Sequence, residues 1–156
     1  MLDQDWKLVI AGSKEWQEDN LVSELRKDGF GEDVTFSESP TDYEVKSLLA
    51  ESQIVLSTSA AEGFGLPLLE GMAFGCIPVV SNIPQHRETV GEHGFYFIGT
   101  KASDLAAALG AAAAKLAEKD PELVGRLQDH IEKNFSFATI ATMWDEFLGS
   151  VRTKKK

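Results

Sequence analysis

Ser59-Ala60-Ala61-Glu62-Gly63-Phe64-Gly65-Leu66-Pro67-Leu68-Leu69-Glu70-Gly71-Met72-Ala73-Phe74-Gly75 is the stretch around which the chain is organised. Ile54-Val55-Leu56-Ser57-Thr58 precedes it, an apolar and hydroxyl run bounded by polar residues, as expected of a buried strand. Gly63 and Gly65 allow backbone angles that most side chains forbid. Pro67 suits the start of a helix and Gly75 its end. The stretch therefore reads as strand, glycine loop, helix. Such a unit directs free backbone N–H groups and the positive end of a helix dipole at one point, where an anion can sit. Glu62 and Glu70 bracket that point. The plainer reading of the pair is a solvated loop carboxylate and a Glu favouring its own helix N-terminus by about 0.3–1 kcal/mol.

Working outward, Leu8-Val9-Ile10-Ala11-Gly12 reads as a first buried strand, and Leu21, Val22 and Leu25 as a helical face closed by Gly29. Val34-Thr35-Phe36 is a second strand. Ser39-Pro40-Thr41-Asp42 gives turn and cap signals for a helix carrying Val45, Leu48 and Leu49. After the central stretch come a strand at Pro78–Ser81, a short helical segment from Pro84 to Val90, and a last strand at Phe95–Ile98. Three helices follow, opened by Ser103, by Asp120-Pro121, and by Ser136 or Thr139. Met143, Trp144 and Phe147 on the last one read as a core face. Strands alternating with helices imply a doubly wound, mostly parallel α/β sheet of five strands, Rossmann-like, within a single domain over residues 1–156.

Composition narrows the function. With 43% apolar and 26% charged residues the chain is expected to fold as a globular domain. A formal net charge of -10 disfavours nucleic acid and anionic membranes as partners. No apolar run approaches the ~18 residues of a membrane span, so no insertion is expected. Cys76 is the one cysteine; it suits a reducing cytoplasm and reads as a small core residue, not a nucleophile. His86, His93 and His130 lack metal-ligand spacing, so no metal is expected. His86-Arg87 reads as a loop pair at the ligand edge of the sheet, a candidate contact for donor or acceptor.

The central stretch also carries a resemblance. Glu62-Gly-Phe-Gly-Leu-Pro-Leu-Leu-Glu70 is similar to the E-x7-E signature of the retaining family 4 glycosyltransferases of the GT-B fold. Thr58-Ser59-x-x-Glu62 stands where that family usually has Pro-Ser-x-x-Glu. Gly75-Cys-Ile-Pro-Val-Val-Ser-Asn82 resembles the strand after the motif helix, and Glu88-Thr-Val-Gly91 followed by Gly94 resembles its E-x-V-G…G segment. Asn134-Phe-Ser-Phe137 lies where F-S-W is common. The matches run in the family's order over roughly residues 8–148.

The resemblance implies the donor-binding half of a glycosyltransferase taking a nucleotide-diphosphate sugar, with no further cofactor. Glu70 would hydrogen-bond the ribose hydroxyls. The N–H groups of Phe64, Gly65 and Leu66, beside Gly63, would meet sugar or phosphate, and Glu62 would lie beside the donor sugar as the candidate catalytic carboxylate. The family's donor half opens with one further strand and helix, whose Arg and Lys hold the diphosphate. Residues 1–7 offer no counterpart, so this chain is expected to lack that piece and the acceptor-binding domain. Deleting that strand from the family order 3-2-1-4-5-6 leaves 2-1-3-4-5 if the gap closes. Closure would set Gly12-Ser13-Lys14 opposite the glycine loop and make Lys14 the nearby cation. The chain is then expected to bind donor weakly and to be inactive alone. Its partners would be an acceptor-domain chain or a second copy, for in the family the last helix crosses toward the other half. The alternative is a non-catalytic nucleotide-sugar-binding or interaction module that kept the fold.

Overall fold

Ile77–Ser81 forms a strand, β4, in which every residue is buried. In this computed structural model, which describes residues 6–13, 24–25 and 27–153, β4 lies between β3 (Ile54–Ser57) and β5 (Phe95–Phe97), parallel to both. Side chains alternate across a strand, so its two faces feed two cores. Val80 joins Leu68, Met72, Val90 and Leu127 on one side, with Val55, Tyr96 and Ile131 packed against them. Ile77 and Val79 join Phe97, Ala108 and Ala112 on the other, with Ile54, Leu56 and Phe95 alongside. A strand covered on both faces has no polar side to show, which explains the unbroken apolar run.

Of the helices that cover it, α2 (Leu66–Ala73) and α5 (Leu123–Phe135) contribute to the first core and α4 (Ala102–Ala117) to the second. The short α3 (Pro84–Val90) buries His86, Thr89 and Val90. A 3-10 turn at Gly91–His93 leads into β5. These elements belong to a compact unit running from Ser52 onward.

A second compact unit precedes it and ends at Glu51. Its sheet pairs β1 (Leu8–Gly12) with β2 (Val34–Glu38) in parallel, Leu8 opposite Val34 and Gly12 opposite Glu38. Glu24, Leu25 and Lys27 are helical, and Gly29 at φ 87° follows them; Leu21 and Val22 lie outside the described residues. Helix α1 (Asp42–Glu51) opens on a reciprocal cap. Thr41 N–H and Oγ1 both donate to Glu44 Oε2 at 2.7 Å, and Glu44 N–H donates back to Thr41 Oγ1 at 3.3 Å.

The expected α/β class, the parallel pairing and the neighbours 2-1 and 3-4-5 are all present. Within the first unit the strands pair as a two-stranded sheet, β1-β2, and within the unit from Ser52 as a three-stranded sheet, β3-β4-β5.

Two expectations are corrected. Met143, Trp144 and Phe147 on α6 (Phe137–Thr153) are 57%, 58% and 57% exposed, so that face is not core. Lys101 precedes α4 as its N-cap, which puts Ser103 inside the helix, whereas Ser136 Oγ does accept the N–H of Thr139 at the start of α6. Cys76 is buried as expected; its thiol lies 3.3 Å from the Ser52 carbonyl and burial pushes its pKa up.

Asp120 makes the turn into α5. Its carboxylate accepts from Arg126 at 2.5 Å and from the N–H of Glu122 at 3.0 Å. Those hydrogen bonds, Arg126 first, hold its pKa at about 2. A carboxylate with a depressed folded pKa stabilises above its ordinary value of about 4, and that contribution fades as pH falls toward 2. Asp120→Asn is therefore expected to unfold at lower denaturant at neutral pH and to lose less further stability on acidification over that window, measured by urea denaturation at a series of pH values.

Candidate functional site

The loop from Thr58 to Gly65 joins β3 to α2 and carries Glu62 and Gly63. Gly65 precedes the helix at φ 91°, ψ 39°, in the left-handed region that favours glycine, and gives the helix no side-chain cap. Pro67 sits in the first turn, as expected. Gly65 O accepts the N–H of Leu68 at 3.0 Å, while among the described residues no hydrogen bond takes up the N–H of Phe64, Gly65 or Leu66. They lie at the start of α2, at the positive end of its dipole.

Two contacts pin the loop. At its beginning, the Ser59 carbonyl accepts the Ser81 hydroxyl at 2.5 Å. Near its end, the Phe64 ring meets Phe135 of α5 edge-on, centroids 5.7 Å apart. Phe135 in turn stands edge-on to His130, whose Nε2 lies 2.9 Å from the Thr89 carbonyl. The loop is thereby tied to β4, α5 and, through His130, α3.

Glu62 is partly exposed, and its Oε1 lies 4.0 Å from His86 Nε2. Glu70 is exposed on α2, one turn beyond the exposed Leu66, so the two share a helix face beside the loop's end. Both acids thus belong to one loop-and-helix unit. Lys14 lies outside the described residues.

His86 is a residue the sequence reading misplaced. It was expected in a loop at the ligand edge, yet it lies on α3 with no exposed surface. Its Nδ1 sits 2.9 Å from the Ser81 carbonyl and 3.1 Å from Ser81 Oγ. A carbonyl only accepts, so Nδ1 carries a hydrogen and donates it. His86 Nε2 is buried without a hydrogen-bond partner. The signal for burial was present in the sequence: at helical spacing His86 falls in line with Thr89 and Val90. Arg87 serves structure instead, its Nε donating to Asn82 Oδ1 at 2.7 Å and its guanidinium lying 3.6 Å over the Tyr96 ring. A hollow of about 550 Å³ along β5 and α4, lined by Phe95, Tyr96, Phe97 and Asp104 among others, includes neither His86, nor either acid, nor the glycine loop.

The family model for glycosyl transferases group 1 matches residues 1–133. The chain belongs to that family. Among curated relatives it is 32% identical over 93 residues to the GDP-mannose:cellobiosyl-diphosphopolyprenol alpha-mannosyltransferase of Xanthomonas oryzae pv. oryzae (strain PXO99A), covering 59% of this chain and 24% of that protein. It is also 32% identical over 107 residues to the serotype-specific mannosyltransferase WbdA of Escherichia coli, covering 68% of this chain and 13% of that protein. The chain thus spans a quarter or less of these relatives' length. Among solved structures, the catalytic domain of starch synthase IV from Arabidopsis thaliana, bound to ADP and acarbose, matches with a TM-score of 0.70 at 16% identity, over 90% of this chain and 31% of that one. The GtfA/B complex matches at 0.73 and 19% identity, over 94% and 30%. The expected glycosyltransferase family and Rossmann-like GT-B fold are thereby established for this chain.

Gly71 sets how closely this glycosyltransferase unit packs. A Cβ there would lie 2.7–2.9 Å from the side-chain carbons of Val55 on β3. Alanine gains about 1 kcal/mol of helix propensity over glycine, but overpacking costs about 1–3 kcal/mol. Gly71→Ala is expected to be net destabilising in chemical denaturation, and Val55→Gly in the same chain, which removes all three Val55 carbons, to relieve the clash, so that the double variant is less destabilised than the two losses summed.

Proposed function

We propose that this chain forms the donor site of a retaining glycosyltransferase and binds a nucleotide-diphosphate sugar at the glycine loop. The observation that carries the reading is the loop's end: three backbone N–H groups, at Phe64, Gly65 and Leu66, that no hydrogen bond takes up among the described residues, at the start of α2 and flanked by Glu62 and Glu70. The N–H groups of Phe64, Gly65 and Leu66 meet phosphate or sugar oxygens. Glu70 accepts hydrogen bonds from the ribose hydroxyls, a task for which a carboxylate with two oxygens is suited. Glu62 lies beside the donor sugar, where its charge can stabilise the oxocarbenium-like centre that develops as the diphosphate leaves.

The relatives' names support mannose, and one of them carries GDP-mannose in its name; guanosine diphosphate mannose is the donor we assign. Transfer to an acceptor requires an acceptor-binding part, and the exposed apolar face of α6 is the surface on which that part would pack.

A thermal-shift and titration panel of guanosine, uridine and adenosine diphosphate sugars, on wild type and Glu70→Ala, tests the reading. GDP-mannose is expected to stabilise the chain most, and Glu70→Ala to weaken it about tenfold or more, the size of a lost charged hydrogen bond. No stabilisation by any sugar nucleotide, or an effect that survives Glu70→Ala, would overturn the assignment.

A further inference from the structure

His86 is fully buried, yet only one side of its ring is satisfied. Nδ1–H is held by two oxygens of Ser81, while Nε2 has no partner and points to the loop side of the ring, where Glu62 Oε1 lies 4.0 Å away. A buried polar atom left unpaired costs free energy that a partner would recover. The gap exceeds a hydrogen bond by about 1 Å, and the part-exposed Glu62 side chain can close it by rotating its terminal bonds.

We propose that His86 is a positioning residue for Glu62, the two sharing one proton on a line from Nε2 to Oε1 that fixes the loop carboxylate beside the glycine bend. With Nδ1–H committed to Ser81, the bond has two forms. Either the imidazolium donates Nε2–H to the carboxylate, or neutral Nε2 accepts from the carboxylic acid. One proton lies between the two groups in both. The other ionisable groups nearby are otherwise placed. Arg87 and Glu88 are exposed on α3, with Arg87 engaged by Asn82 and Tyr96, and the Tyr96 hydroxyl approaches the His86 carbonyl at 3.3 Å, not the ring. A carboxylate held in one rotamer needs no reorganisation when a ligand arrives. The geometry of the pair stands by itself; its use in sugar transfer rests on the donor-site reading above.

The test uses nitrogen-15 spectra of the His86 ring at neutral pH, with nucleotide titrations. In wild type the Nε2 resonance is expected to shift toward the protonated position relative to Glu62→Ala, a surface change that leaves the core intact. An identical Nε2 resonance in the two would overturn the proposal. Glutamine can place a polar atom where Nε2 lies, and asparagine only where Nδ1 lies. His86→Gln is therefore expected to keep GDP-mannose affinity within about threefold, and His86→Asn to lose about tenfold with GDP affinity changed less than about twofold. The reverse order would mean that His86 only anchors Ser81, and would also overturn it. Should neither nucleotide bind any variant, the donor-site reading falls, and the wild-type and Glu62→Ala spectra decide the shared proton by themselves.

Discussion

Ser81 is the joint on which the site depends. It ends β4, and its hydroxyl spans two neighbours at once, donating to the Ser59 carbonyl and accepting from His86 Nδ1. Its own carbonyl takes the same imidazole hydrogen. One small side chain thereby ties the loop after β3, the end of the central strand and the buried face of α3. The hydroxyl suits this because it donates and accepts together, and in a buried setting both capacities must be used. An alanine would leave the Ser59 carbonyl without this partner, at a cost of about 1–3 kcal/mol, while His86 Nδ1 would keep the residue 81 carbonyl.

The layers around that joint follow from the parallel sheet. Hydrogen bonding to both neighbours forces β4 into the interior, and strand alternation then divides its side chains between two helical covers. Ligand groups in such sheets collect where strands end and helices begin, since buried backbone is satisfied elsewhere. Ser57 closes β3, Ser81 closes β4, and Gly65, Glu62 and His86 lie just past those ends. The apolar interior thus fixes the position of the polar groups without contributing any of their chemistry.

The elements with strong local signals were legible in the sequence. Strand β1 has its expected limits, Pro67 lies in the first turn of α2, and Thr41 caps α1 through a carboxylate three residues on. The glycine bend between Glu62 and Glu70 told in advance that the first lies on the loop and the second on the helix after it. What escaped was set by packing partners that no local pattern names. The Met143, Trp144 and Phe147 stripe has the spacing of a core face, and spacing does not say whether another surface covers it. His86 carries a polar identity that suggests solvent, and only the Ser81 oxygens, five residues back in the chain, show why it is stable inside.

Charge gives the His86–Glu62 pair a further consequence. The chain carries a formal net charge of -10, and a sugar nucleotide bound as proposed would bring more negative charge to the loop. Two like charges about 4 Å apart repel by roughly 1 kcal/mol in water and roughly 4 kcal/mol at the effective dielectric of a protein surface. The helix N-terminus returns only about 0.3–1 kcal/mol, or about 2 when partly buried, so an unpaired Glu62 carboxylate beside the leaving diphosphate could cancel all that the dipole contributes. A proton shared with His86, as proposed, would lower the net charge at the loop by one while keeping the carboxylate in place. The surrounding acidic surface matters less, because charges more than about 8 Å away are largely screened at physiological salt. The balance at the glycine bend is therefore local, and a histidine with no exposed surface is the group placed to tip it.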